Sequence, residues 1–303
     1  MLFSKTKTFD ELFADVPVEQ KQQLLDFRDQ AAYKTIPVEN FNWRYRVYGS
    51  GDKVMVLLPG GFTLSDIWMN TALTFSEEYR LLMPDAYARQ ECYQADLVSK
   101  AIFAMLKEES VPHAVFYGLA AGGDMAQYFL HQHPERVSHL ILSHCDILGD
   151  STAADGARMR RTLRFYRQSP ERSIRNMLLR QLEKNLPAES DWLQYTLAYY
   201  RDSIQGLQKK MVVEYVKQSY AMKEQFEFMA ARIRTWEGKI LYLATEDDNL
   251  TLGNLTPLKK FYPAAKIHRF AEGQNHVHLL YPQQVNTVIK DFLEIADQQT
   301  WSK

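Results

Sequence analysis

Ala114-Val115-Phe116-Tyr117-Gly118-Leu119-Ala120-Ala121-Gly122-Gly123 is the stretch that decides the fold. A short apolar run, Ala114 to Tyr117, meets a glycine turn, and the turn leads into a helical pattern marked by Met125, Tyr128 and Phe129. An apolar run of this length bounded by turn residues reads as a buried strand. Gly118 and Gly122 stand two positions either side of Ala120. That is the spacing of G-x-S-x-G, a strand-to-helix turn so tight that small residues must flank the central one. The spacing does not fit G-x-G-x-x-G, which sets a dinucleotide-binding turn aside.

The same alternation continues outward. Upstream, residues 41–48 (FNWRYRVY) alternate as a half-buried strand does, and residues 53–58 (KVMVLL) run into Pro59-Gly60-Gly61. Arg80-Leu81-Leu82-Met83 leads into Pro84-Asp85, and residues 94–109 have a helical period. Downstream, Leu140-Ile141-Leu142, Lys239 to Leu243 and Pro263 to Phe270 read as strands, with 282–296 as the closing helix. Short apolar strands alternating with helices predict a mostly parallel sheet covered on both faces. Strand-like runs stop between about 150 and 235, where MRRTLRFYRQ, SIRNMLLRQLEKNL, DWLQYTLAYY and MVVEYVKQSYAM are all helical. Residues 1–149 and 236–303 are therefore expected to form the core, with an extra N-terminal helix over about 9–32 lying outside the core fold. Residues 150–235 are expected to form an inserted all-helical cap.

Composition narrows the class. The chain has 303 residues, 46% hydrophobic and 24% charged, ordinary values for a globular protein able to bury a sizeable core. Lys+Arg 36 against Asp+Glu 37 leaves a net charge of −1, which argues against nucleic acid as a partner. The N-terminus lacks the apolar core of a signal peptide, no stretch approaches the length of a membrane span, and Cys92 and Cys145 share no motif. A cytoplasmic protein with reduced thiols is expected. No His/Asp/Glu spacing resembles a metal site, and no cofactor is expected.

With these markers in order, residues 40–296 resemble the α/β-hydrolase family. Leu57-Leu58-Pro59-Gly60-Gly61-Phe62 matches the family's loop after its third strand, with Pro59 where histidine is usual. Leu241 to Asp248 is similar to its acid-bearing strand and turn, and Glu272-Gly273-Gln274-Asn275-His276 to its histidine loop. The helical cap and Phe261 to Lys266 resemble the maspardin-like branch. The resemblance implies the α/β-hydrolase fold and a triad in the order Ala120, Asp248, His276, with serine replaced by alanine. Histidine suits the base because its pKa lies near working pH, and a carboxylate fixes its tautomer. Asp247 and Asp146 are alternative acids, and His278 an alternative base. The backbone N–H groups of Gly61 and Ala121 are the expected oxyanion donors.

Two readings stay open. In one, the chain is a carboxylic-ester or lactone hydrolase that forms an acyl-enzyme, present here as an inactive serine-to-alanine form at position 120. In the other, it is a naturally non-catalytic binding or scaffold protein that kept the fold. An aspartate-nucleophile dehalogenase or epoxide hydrolase fails equally at Ala120. A small-molecule ester or lactone is the expected partner. The cap aromatics Phe165, Tyr166, Trp192, Tyr195, Tyr199, Tyr200, Tyr215 and Tyr220 read mostly as packing, and the Arg158-Met159-Arg160-Arg161 run as a solvated face open to an anionic group.

Overall fold

The computed structural model describes residues 6–150, 153–186, 189–227, 233 and 236–300. Eight strands, β1 (Tyr33–Val38), β2 (Phe41–Tyr48), β3 (Lys53–Leu58), β4 (Tyr79–Pro84), β5 (Ala114–Leu119), β6 (Val137–Ser143), β7 (Ile240–Thr245) and β8 (Lys266–Phe270), form one sheet. Their order is β1-β2-β4-β3-β5-β6-β7-β8. The β1–β2 and β2–β4 pairs are antiparallel, and every pair from β4 to β8 is parallel. β5, the most central of the parallel strands, is buried along its whole length. Such a strand is apolar throughout, which is why its sequence shows a run and not an alternation.

Helices cover both faces. They are α1 (Phe9–Leu12), α2 (Val18–Gln30), α3 (Met69–Phe75), α4 (Ala95–Glu108) and α5 (Ala121–Gln132), followed by α6 (Ala153–Gln168), α7 (Glu171–Asn185), α8 (Leu193–Gln205) and α9 (Lys209–Gln225) between β6 and β7. Successive side chains of a strand point to opposite faces, so each central strand feeds two cores. Phe116, Leu142 and Tyr242 join Ile102, Met125 and Phe129 on the α4–α5 side. Tyr117, Ile141 and Leu243 join Phe27, Trp68 and Ile289 on the other. A C-terminal helix, Pro282–Thr300, closes this second face.

The structure adds β1, which the sequence reading lacked, and two expected elements differ. The N-terminal helix is two helices, broken ahead of Pro17, and it is not peripheral: Leu24 and Phe27 are fully buried in the second core. Tyr195 and Tyr199 of α8 reach the same core, so this helix is anchored in the sheet layer and does not merely cover it. Among the described residues no helix is long and apolar enough to cross a membrane.

Candidate active site

The turn after β5 is strained. Ala120 sits at φ 49°, ψ −121°, a region from which a Cβ is normally excluded and which persists only where its surroundings impose it. The surroundings here are specific. The Ala120 N–H donates to the Ser143 carbonyl at 2.9 Å, and the Ala120 carbonyl accepts from the N–H groups of Gly123 at 2.8 Å and Asp124 at 3.2 Å. A Cβ on Gly122 would stand 2.0 Å from the Leu58 carbonyl oxygen, and one on Gly60 would stand 2.9 Å from the Ala120 Cβ. The glycines thus let β3 and its loop close onto the turn.

Two amides are left facing away from these bonds. In a trans peptide unit C=O and N–H point in opposite directions. Because the Ala120 carbonyl points into α5, the Ala121 N–H of the same unit points out of the helix N-terminus, where the first amides have no intrahelical acceptor. The Gly60 carbonyl accepts from the Thr63 N–H at 3.3 Å and from the Thr63 hydroxyl at 2.8 Å, which turns the Gly61 N–H away from that loop.

His276 ends the single turn Gln274–His276 and is 6% exposed. Its Nδ1 lies 3.0 Å from the Tyr200 hydroxyl of α8. Burial pushes its pKa down to about 4, against an upward pull from Asp247. Asp248, the expected acid, lies in the turn leaving β7. Its N–H donates to the Thr245 carbonyl at 3.3 Å, and its own carbonyl accepts from the Leu252 N–H and the Thr251 hydroxyl, so its backbone forms the turn and starts the next helix. Asp247 instead accepts the N–H groups of Gly273 and Gln274, each at 3.0 Å. Asp247, one residue before the expected acid, is thus the carboxylate whose side chain holds the backbone of the histidine loop.

The other candidates lie elsewhere. Asp146 pairs with Lys223 of α9. Both ring nitrogens of His278 are buried without a hydrogen-bond partner, and the ring lies 6.1 Å from that of Trp68. Two site features were missed in the sequence. His144 sits at φ 50°, with Nδ1 2.8 Å from the Ser143 hydroxyl and Nε2 3.4 Å from the Thr245 hydroxyl. Tyr200 was read only as one of the cap aromatics, most of them packing and some open to a pocket, and its partner on a distant loop reveals its place.

Ala120 opens onto a cavity of about 630 Å³. Gly60, Gly61 and His276 line its sheet side, and Leu178, Tyr200 and Ile204 of α7 and α8 its far side. Its wall is mostly apolar, the usual character of a small-molecule site. Among the described residues no cluster of His, Cys, Asp and Glu could hold a metal ion.

No family model and no curated protein matches the chain. Solved structures do. A hydrolase from Pseudomonas aeruginosa superposes with a TM-score of 0.71 at 17% identity, covering 86% of this chain and 98% of that one. An enol-lactonase from Burkholderia xenovorans gives 0.70 at 15% identity, covering 86% and 100%. The chain has the α/β-hydrolase fold. A thermophilic esterase from Thermogutta terrifontis also gives 0.70, at 16% identity, covering 88% and 99%. At such identities the likeness establishes the α/β-hydrolase fold and leaves the chemistry to the site. In open α/β sheets the ligand crevice lies beyond the strand C-terminal ends. Ala120, Asp247 and His276 follow β5, β7 and β8 at those ends.

Proposed function

We propose that this chain is laid out as a carboxylic-ester or lactone hydrolase of the serine type and, with alanine at position 120, binds its substrate without cleaving it. The observation that carries this reading is the backbone of Ala120. A turn at φ 49° has no value for an alanine methyl, whereas it would present a hydroxyl to a cavity lined by His276. Serine at 120 would attack the carbonyl carbon, His276 would take its proton, and the N–H groups of Gly61 and Ala121 would hold the developing oxyanion. The acid of this proposal is Asp247, which ties down the histidine loop through Gly273 and Gln274, in place of Asp248. The esterase and enol-lactonase among the structural neighbours support the substrate class.

One observation favours the second reading, a non-catalytic binding protein. The Tyr200 hydroxyl, not a carboxylate, meets Nδ1 of His276. Ala120→Ser separates the two. Removing a triad member costs about 10⁴–10⁶ in rate, so the serine variant should hydrolyse short aryl esters or lactones at least about a thousandfold faster than the alanine protein. It should lose this in the Ala120→Ser, His276→Ala double variant. A folded serine variant that cleaves nothing across a broad panel and escapes labelling by a serine-reactive phosphonate would leave the binding reading standing.

A further inference from the structure

The lining of the cavity carries a single cation. Among the described residues that line it, Lys184 of α7 carries the only formal charge, since burial keeps His276 neutral near pH 7. No carboxylate lines it. Lys184 also borders a second, shallower cavity along α7 that carries Arg180, so the opening passes from one cation toward another. Behind the wall, Arg89 donates from Nε to the Phe62 carbonyl at 2.7 Å and from a terminal nitrogen to the Ser203 carbonyl. Phe62 and Ser203 both line the cavity; the charge of Arg89 itself is opposed by Asp85, Asp202 and Asp66, so Lys184 is the cation that faces the cavity. The N-terminus of α5 adds a partial positive charge at Ala121, beside the expected point of reaction. Ser203, whose hydroxyl is buried beside Tyr199, also lines the cavity. A largely apolar cleft lined by a cation and by no carboxylate favours ligands of the opposite sign.

We infer that the cavity takes an ester or lactone bearing a carboxylate away from the reacting carbonyl, with Lys184 meeting that carboxylate. The inference rests on the proposed hydrolase site for the position of the carbonyl. The cation comes from α7 and not from the Arg158–Arg161 run, because Arg158, Arg160 and Arg161 of α6 are exposed and none of them lines the cavity.

The alanine protein is itself the binding reagent, because it leaves the ligand uncleaved. Titration calorimetry with monomethyl adipate and with dimethyl adipate compares one chain length with and without the charge. The half-ester should bind about fivefold tighter at low salt, the scale of a partly exposed ion pair. The preference should shrink in 0.5 M sodium chloride and vanish in Lys184→Gln. Equal affinities, or tighter binding of the diester, would overturn the inference, as would a preference that survives Lys184→Gln. Turnover keeps it distinct from the proposed function. An Ala120→Ser protein that cleaves both probes equally well sinks the carboxylate and leaves the hydrolase. One that cleaves neither, while the alanine protein keeps its Lys184-dependent preference, sinks the hydrolase and leaves the carboxylate site.

Discussion

His276 is the residue whose environment makes the sharpest statement about chemistry. An exposed histidine loses its proton near pH 6.5. Burial holds His276 down to about 4, so the imidazole is neutral and basic well below neutrality. In the Ala120→Ser protein, kcat/KM should therefore be level from about pH 5 upward and fall only as pH drops through about 4. An acid limb near pH 6.5 to 7 in a pH–rate profile would mean that the ring is solvated or carboxylate-paired during turnover. The elbow was legible at this scale because steric crowding restricts it to small residues, and Gly118, Gly122 and Gly60 appear directly in the sequence. The acid was not. Asp247 and Asp248 are both turn carboxylates, and their difference lies in which side chain meets the amides of Gly273 and Gln274. That is set by the turn leaving β7 and by a loop more than twenty residues later.

At the scale of elements, α9 is bound to the core by Lys223. Its Nζ lies between Asp146 and Asp124, 3.3 Å from the latter. Asp124 belongs to the first turn of α5, directly after the elbow. Burial raises its pKa to about 6 in spite of Lys223, whose charge pulls the other way. Lys223→Met should cost about 2 kcal/mol, less than a fully buried pair because Asp146 is partly exposed. A carboxyl with a raised folded pKa loses stability as pH rises through that pKa, so the deficit should be larger at pH 8 than at pH 5. Adding Asp124→Asn should recover part of it. Denaturant midpoints of the three proteins at the two pH values check this, and a deficit independent of pH would remove Asp124 from the account. The helical run between β6 and β7 was legible because strand-like periodicity stops there. The burial of α8 was not: Tyr195 and Tyr199 read as an ordinary aromatic stripe, and only tertiary packing against Trp68 and Phe13 puts them in the sheet core. β1 (Tyr33–Val38) was missed for a related reason. It is an edge strand holding Pro37, and its half-exposed pattern carries little apolar signal.

For the whole molecule, three of the four buried histidines have lowered pKa values and shape the response to acid. Burial holds His144 at about 3, His276 at about 4 and His278 well below its ordinary value. Each is neutral in the fold and takes a proton near pH 6.5 once unfolded. Their stabilisation is complete above about 6.5 and is lost as pH falls from there toward 4. Asp124, raised to about 6, works against them over the same window. Three groups against one leave a net loss, on the order of 3 kcal/mol between pH 7 and pH 5. Urea unfolding at pH 7, 6 and 5 should show the decline, and His278→Leu should flatten it by removing a ring that has no partner for either nitrogen. A flat stability curve in the parent protein would refute the assignment. The mostly parallel character of the sheet was accessible from the alternation of strands and helices, but not its strand order, since β1 left no clear signal.

The conformation of Ala120 also bears on reversibility. Glycine would occupy φ 49° without strain, so Ala120→Gly should match or exceed the parent in stability, by up to about 1 kcal/mol. Alanine keeps the strain, and its methyl gains no hydrogen bond or charge contact from it. On the hydrolase proposal, a serine at this position would find the turn already in the geometry in which its hydroxyl acts. Alanine and serine codons are separated by a single base, so on that proposal the inert and the reactive forms would be adjacent genotypes sharing one backbone.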